Sequence, residues 1–405
     1  MNIIIFEDLN ISNLNPFSIN HASFEIRCGI LSNLDRIINV FGEEANYYLI
    51  VRKQIKNLIQ EKYPRYTVNP KSIPEGVYLN GAAIWNKKYI QKISSGYAFS
   101  SSGNLVAFNS NDKINFEDIS DVINKVSGVT SDININYISY LWDCIDYFKS
   151  ILLNDIELLE LISNGDEFKD ELTNNSLIDN SSILINKKNI YLDKTSTIEP
   201  GCILDANKGP IVFSNNVLIE SGAIIKGPIF IDKHSIIKSG SKLNSNILIG
   251  PECRIGGEIT STIFQGYSNK QHDGFLGNSF IGEWINLGAN TNNSNLKNNY
   301  GKIKFNFSNK IVDTNKIFLG VMIGDFTRTG ISTMINTGSY MGLGANIFGE
   351  GFQNKHIESF AWGKDDVTNF DKFIETIKII KSRRNKKLLD SEISFLKSYY
   401  EFIIK

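Results

Sequence analysis

An aliphatic or aromatic residue recurs at every sixth position from residue 213 to residue 255, at Phe213, Ile219, Ile225, Ile231, Ile237, Leu243, Ile249 and Ile255. A helix repeats its apolar positions every three and four residues, and a half-buried strand every two. A period of six predicts a hexapeptide parallel β-helix, in which each step of six builds one side of a triangular coil. The rhythm begins near Ile183, with Leu192, Ile198 and Leu204. After Ile255 it is interrupted, resumes at Ile281 and Leu287, and returns at Ile317, Ile323, Thr329, Ile335, Met341 and Ile347. Gly, Asn, Asp and Ser between these positions suit corners, where the chain must bend and often takes φ > 0.

Two interruptions stand out, at residues 264–277 (FQGYSNKQHDGFLG) and 292–310. A solenoid accommodates insertions as loops on one face, and such loops often carry the binding site. Both are read as loops of that kind.

Outside the repeat the pattern changes. Residues 1–140 alternate short apolar strands (MNIIIF, NYYLIVRK) with helical spacing (FEIRCGILSNLDRIINVFG, KNLIQEKYP), and GVYLNGAAIW reads as strand, turn and second apolar segment. That alternation predicts an α/β domain with a mostly parallel sheet. Residues 137–164 carry apolar residues at i, i+3, i+4 and i+7, an amphipathic connector helix. From Asp365 the spacing is helical again, with a basic cluster at Lys381, Arg383, Arg384, Lys386 and Lys387. The expected organisation is therefore an α/β domain over 1–140, a helical connector over 141–180, a β-helix over 181–363 and a helical tail over 364–405.

Composition narrows the function classes. The net charge of −1 argues against nucleic acid or a membrane surface as the main partner. No apolar run approaches the length of a membrane span, and the start lacks the features of a signal peptide. Four scattered cysteines without a CxxC suit reduced thiols in the cytoplasm. There is no HExxH, no Cys/His ligand spacing, no GxSxG and no P-loop, so no metal site is expected from spacing. Of the four histidines, His272 stands in the first interruption, and histidine is the commonest general base because its pKa lies near neutrality.

The segment IGGEITSTIFQGYSNKQHDGFLGNSFIGEWINLGANTNNSNLKNNYGKIKF resembles the acetyltransferase domain of the bifunctional N-acetylglucosamine-1-phosphate uridylyltransferase/glucosamine-1-phosphate acetyltransferase family. FLGVMIGDFTRTGISTMINTGSYMGLGANIFG, the RRNKKLL tail and NPFSINHASFEIRCGIL extend the similarity to a divergent branch of sugar nucleotidyltransferases with the same prism. The resemblance implies a nucleotidyltransferase-like, Rossmann-like amino-terminal domain, a left-handed β-helix and a homotrimer with sites between subunits. It implies acetyl-CoA-dependent N-acetylation of a hexosamine 1-phosphate by the prism, with His272 as the catalytic base. Lys270, Phe275, Asn286, Lys302 and either Asn295 or Asn299 would contact the sugar phosphate. The N–H of Ala289 would hold the oxyanion, and Arg383 and Arg384 a coenzyme A phosphate. In the amino-terminal domain it implies transfer from UTP or another NTP with Mg²⁺, Arg27 replacing a phosphate-binding lysine and Asn80 a metal-binding Asp. The family's GxGTR loop is absent. Two alternatives remain open: a nucleotidyltransferase whose prism only trimerises the chain, and a non-catalytic scaffold.

Overall fold

The computed structural model describes residues 1–94, 96–159 and 177–405. The amino-terminal part is built on the strand Asn2–Phe6, whose NIIIF run is covered on both faces and therefore reads as continuous hydrophobicity. It pairs in parallel with Asn46–Ile50 on one side and Gly76–Asn80 on the other. Thr67–Val68 extends the first side in parallel, and Asn104–Ser110 and Ala98–Ser101 extend the second as antiparallel strands.

The helical reading of FEIRCGILSNLDRIINVFG holds only for Asn33–Phe41, which starts where the Ser32 hydroxyl accepts the Asp35 N–H at 3.1 Å. Before it the chain is irregular. Phe24, Ile26 and Cys28 are all fully buried, a spacing of two, and Gly29 takes φ +95°, which no helix allows. In GVYLNGAAIW only Gly76–Asn80 is a strand. The connector helix is Asp143–Leu158, shorter than expected because the Asp143 carboxylate accepts the Ser139 and Tyr140 N–H groups and holds them in a turn. The rest of the expected connector, 160–176, lies outside the described residues.

From Ile183 the chain forms a left-handed parallel β-helix of three sheets. Regular coils advance by eighteen residues, as in the pairing of Ile211 with Ile229 and of Ile229 with Ile247. The hexad residues Ile219, Ile225, Ile231, Ile237, Leu243, Ile249 and Ile255 are fully buried inside the prism. Outward residues of one sheet, among them Val212, Phe230, Leu248 and Phe280, are buried too, because the connector helix packs there with Cys144, Phe148 and Ile151. One face of the prism is thus covered by the amino-terminal part. The edge between the other two faces carries His272.

The two interruptions have different causes. Residues 264–277 are not an inserted loop: the coil that leads into them is short, with Leu248 paired to Ile263 and Arg254 to Asn269, fifteen residues on. Residues 292–310 belong to a true insertion, since Ile281 pairs with Ile323. Its hairpin Lys304–Asn306/Ile311–Asp313 places Phe305 and Phe307 against Trp142. The tail forms helices Phe370–Ser382 and Asp390–Ile403. They pack on Trp284, Phe326 and Phe360, and Ser391 N–H reaches Glu61 of the amino-terminal part at 2.9 Å.

His21 joins the two parts. Its ring stacks on Phe17 at 4.2 Å and its Nε2 hydrogen-bonds Asp325 Oδ2 at 2.8 Å. Burial opposes its charge, but the Asp325 and Glu25 carboxylates outweigh burial and raise its pKa from 6.5 to about 10. The stability this proton confers is complete below pH 6.5 and is lost as pH rises to about 10. Urea unfolding of the wild type should therefore show stability falling steadily across that window. A His21→Ala protein should start less stable and lack this slope. An equal slope in both proteins would exclude His21 as its source.

Candidate functional site

His272 lies on the corner between the strands Asn269–Lys270 and Phe275–Gly277, which belong to different faces of the prism. From Asn269 to Phe275 the chain advances six residues, while beneath it Arg254 to Glu258 advances four. The contracted lower corner contains Gly256 and Gly257. A Cβ on Gly256 would stand 2.3 Å from the Gln271 carbonyl oxygen, and one on Gly257 would stand 3.0 Å from that of His272. The glycines therefore let the His272 corner settle onto the coil below. The imidazole is exposed and makes no hydrogen bond among the described residues.

Lys270 is not available to a ligand as the sequence suggested. It occupies an inward position paired with Ile255 and is fully buried, and its Nζ donates to the carbonyls of His272 at 2.5 Å and Asp273 at 3.0 Å.

On one side of the corner the Phe275 N–H donates to Asn292 Oδ1 at 2.7 Å. Phe275 and Asn295 flank Gly277, where a Cβ would meet the Phe275 ring at 2.6 Å and Asn295 Nδ2 at 2.8 Å. That places Asn295 beside Phe275. Asn299 instead caps the Gly301 N–H at 3.0 Å, out in the exposed loop, where Lys302 is held by Asn315 Oδ1 at 2.8 Å. On the other side, exposed Asn286 bridges Asn269 below and Arg328 above. The next corner up stacks directly on that of His272: the Asn290 N–H donates to the Asp273 carbonyl at 3.0 Å. The Ala289 N–H has no acceptor among the described residues.

This second face carries three arginines. Arg384 from the tail donates to Asn269 Oδ1 at 3.2 Å, and its buried Nε lies 4.0 Å from Glu252, with no hydrogen-bond acceptor among the described residues. Arg383 is exposed. Burial, and then the nearby Arg384, lowers the pKa of Arg254; burial alone lowers that of Arg328. Arg254 and Arg328 escaped sequence reasoning because they occupy ordinary outward hexad positions.

The amino-terminal sheet offers a second site. Its order runs from Thr67–Val68 through Asn46–Ile50 to Asn2–Phe6, then to Gly76–Asn80, so the direction of winding reverses between the last two strands. Ligands of such sheets bind outside the carboxyl ends of the strands at that reversal. There Asn80 Nδ2 donates to Asp8 Oδ2 at 2.8 Å and to the Leu105 carbonyl at 2.9 Å, while its Oδ1 accepts the Ala82 N–H at 2.9 Å. Asn80 is therefore saturated, and half-buried Asp8 is the carboxylate at the crevice. Its one sequence signal is an acid two residues past the first strand. Arg27 does not point there: its guanidinium lies 3.6 Å from Asp232 of the prism, and its backbone N–H and carbonyl pair with the Gln265 side chain at 2.8 and 2.9 Å. His21, Glu283 and Asp325 bring three possible ligand atoms within 4.8 Å, but the raised pKa of His21 keeps its proton and makes this an ion-pair network. Among the described residues no helix is long and apolar enough to cross a membrane.

Residues 3–163 match the sugar nucleotidyl transferase family model. The chain is 34% identical over 152 residues to the bifunctional sugar-1-phosphate nucleotidylyltransferase/acetyltransferase of Sulfurisphaera tokodaii, covering 37% of this chain and 38% of that one. It is 32% identical over 238 residues to the bifunctional protein GlmU of Methanococcus aeolicus, covering 52% and 57%. The chain thus spans between about a third and about six-tenths of these relatives' lengths. Among solved structures, the Francisella novicida UDP-N-acetylglucosamine acyltransferase aligns with a TM-score of 0.33 at 12% identity, over 55% of this chain and 78% of that one. With nucleotidyl transferase sequence over residues 3–163 and a hexapeptide prism behind it, the chain is similar to a divergent branch of the bifunctional sugar-1-phosphate nucleotidyltransferase/acetyltransferase proteins.

Proposed function

We propose that the prism transfers an acetyl group from acetyl-CoA to the amine of a hexosamine 1-phosphate, and that the amino-terminal part transfers a nucleotide to a sugar 1-phosphate. One observation carries the first half. An exposed, unpartnered His272 stands on an edge with Phe275 and Asn295 on one side and Asn286 and Arg384 on the other. One face suits a sugar, through ring packing and amide hydrogen bonds. The other, with Arg254, Arg328 and Arg384, suits the phosphates of a cofactor.

In this reading His272 takes a proton from the substrate amine as the amine nitrogen attacks the thioester carbonyl. The free Ala289 N–H donates to the oxygen that becomes negative. The carbon–sulfur bond then breaks, and the thiolate leaves with a proton. Exposed Ile331, Met334, Phe352 and Trp362 on the free faces support a homotrimer in which neighbouring prisms cover this edge. A cytoplasmic location accords with four free, buried cysteines. Supplying hexosamine 1-phosphates, acetyl-CoA and each NTP together should yield an N-acetylated product visible by mass spectrometry. Absence of acetylation with every amine would refute the reading.

The nucleotidyl half is supported by the family match over residues 3–163 and by the crevice at Asp8. Mg²⁺ commonly takes only one or two protein carboxylates, with substrate phosphates and water completing its shell. Asp8 fits that role, and the ion would neutralise phosphate charge there. Asp8→Asn should cut Mg²⁺-dependent pyrophosphate release from UTP by about 100-fold. Unchanged release would place the site elsewhere. Binding of neither acetyl-CoA nor UTP in calorimetry would favour a scaffold instead.

A further inference from the structure

The inward positions stacked on Lys270 are apolar, with Ile237 and Ile255 below and Leu287 above, yet Lys270 itself is fully buried there. A buried ammonium is costly unless its charge is met. Among the described residues no carboxylate lies within ion-pair distance of it. The amine instead reaches under its own corner, to the carbonyls of His272 at 2.5 Å and Asp273 at 3.0 Å.

We propose that Lys270 is a positioning residue, whose buried ammonium holds the backbone of the His272 corner in the conformation that presents the imidazole. The positioning stands on geometry; its consequence for turnover rests on the acetyl-transfer reading of His272. No other described side chain braces this corner from within. The glycines below contribute space, and the coil above contributes the Asn290 N–H bond to Asp273.

The brace is sensitive to pH. Burial lowers the amine from 10.5 to about 8, while the Asp273 carboxylate pulls the other way. The other ionisable groups near the corner are His272 itself and, from the coils beneath, Arg254 and Lys238, whose Cβ lies 3.3 Å from where a Gly256 Cβ would stand. Below pH 8 the two bonds are charge-assisted, the stronger kind; above it they come from a neutral amine. Because the folded-state value lies below 10.5, the buried charge costs stability below pH 8, and that cost disappears between pH 8 and 10.5.

Lys270→Met tests the proposal, because an apolar side chain suits an inward hexad position. The variant should melt at the same temperature or higher. Its Asp273 and Gly274 amides should exchange with solvent about tenfold faster, and kcat for acetyl transfer should fall about tenfold with KM little changed. An alkaline limb near pH 8 in the wild-type kcat profile should be absent from the variant. Wild-type exchange at the corner would overturn the proposal. So would a sharp fall in melting temperature with faster exchange throughout the prism, which would make Lys270 a general structural residue. If neither protein acetylates any amine, the reaction reading fails alone. Faster exchange confined to the corner would then still uphold the positioning role.

Discussion

His272→Ala should lower kcat for acetyl transfer to a hexosamine 1-phosphate by about 10²–10⁴-fold, the range that one general base contributes. Its fold should be unaffected. The ring is exposed and bonds to nothing among the described residues, and such surface changes stay within about 0.5 kcal/mol of neutral. The corner is held by backbone and by Lys270, neither of which the substitution touches. KM for the thioester should change little, because Arg384 and its neighbours lie on the adjoining face. His272→Gln should be as inactive as the alanine variant, since an amide cannot take the proton. Steady-state rates with acetyl-CoA and glucosamine 1-phosphate, beside a melting curve, check all of this. Undiminished turnover in the alanine variant would sink the role assigned to the edge.

The prism was legible because each side of a coil must turn one side chain inward, and the chain spells that demand out at Phe213, Ile219 and onward. The cause of its breaks was not legible. A short coil just before a segment and a loop inserted within it interrupt a period in the same way, and only register separates the break at 264–277 from that at 292–310. Lys270 deepened the confusion, because a lysine at an inward position looks like the end of the repeat. His272 nonetheless stood out as a candidate, since a lone histidine in a break of a rigid solenoid is conspicuous, and the structure exposes it on a corner. Which of Asn295 and Asn299 lies beside Phe275 depended on the chain's path around Gly277, where Asn295 sits. Arg254 and Arg328 were invisible for the opposite reason: a regular coil conceals which outward residues share a face. In the amino-terminal part, the alternation Phe24, Ile26, Cys28 lay within a helical-looking stretch, and its period of two was overridden by the stronger periodicity of Asn33–Phe41.

Asp155→Ala should be the most destabilising of these changes, by about 3–5 kcal/mol, the cost of removing one partner from a buried ion pair. Asp155 is fully buried on the connector helix. Arg36 Nε and NH2 each donate to it at 2.8 Å, and its Oδ2 also accepts the N–H groups of Ile30 at 2.8 Å and Leu31 at 3.2 Å. Arg36, only 1% exposed, spends its other donors on the carbonyls of Cys28 and Leu31 and on Asn33 Oδ1. One carboxylate thus closes a segment that has no regular structure of its own onto the helix that packs along the prism. A Cβ on Gly29 would stand 2.4 Å from Asp155 Oδ2, so the turn and the carboxylate fit only each other. Without the carboxylate, a guanidinium remains buried with no counter-charge and two backbone N–H groups lose their acceptor. Replacing both partners, as in Arg36→Met with Asp155→Leu, should recover much of the loss, because it removes the uncompensated charge instead of exposing it. Urea midpoints for the wild type, the single variant and the pair would measure this. A single variant within about 1 kcal/mol of wild type would mean that water reaches Arg36 and that the contact is not sealed as the structure shows.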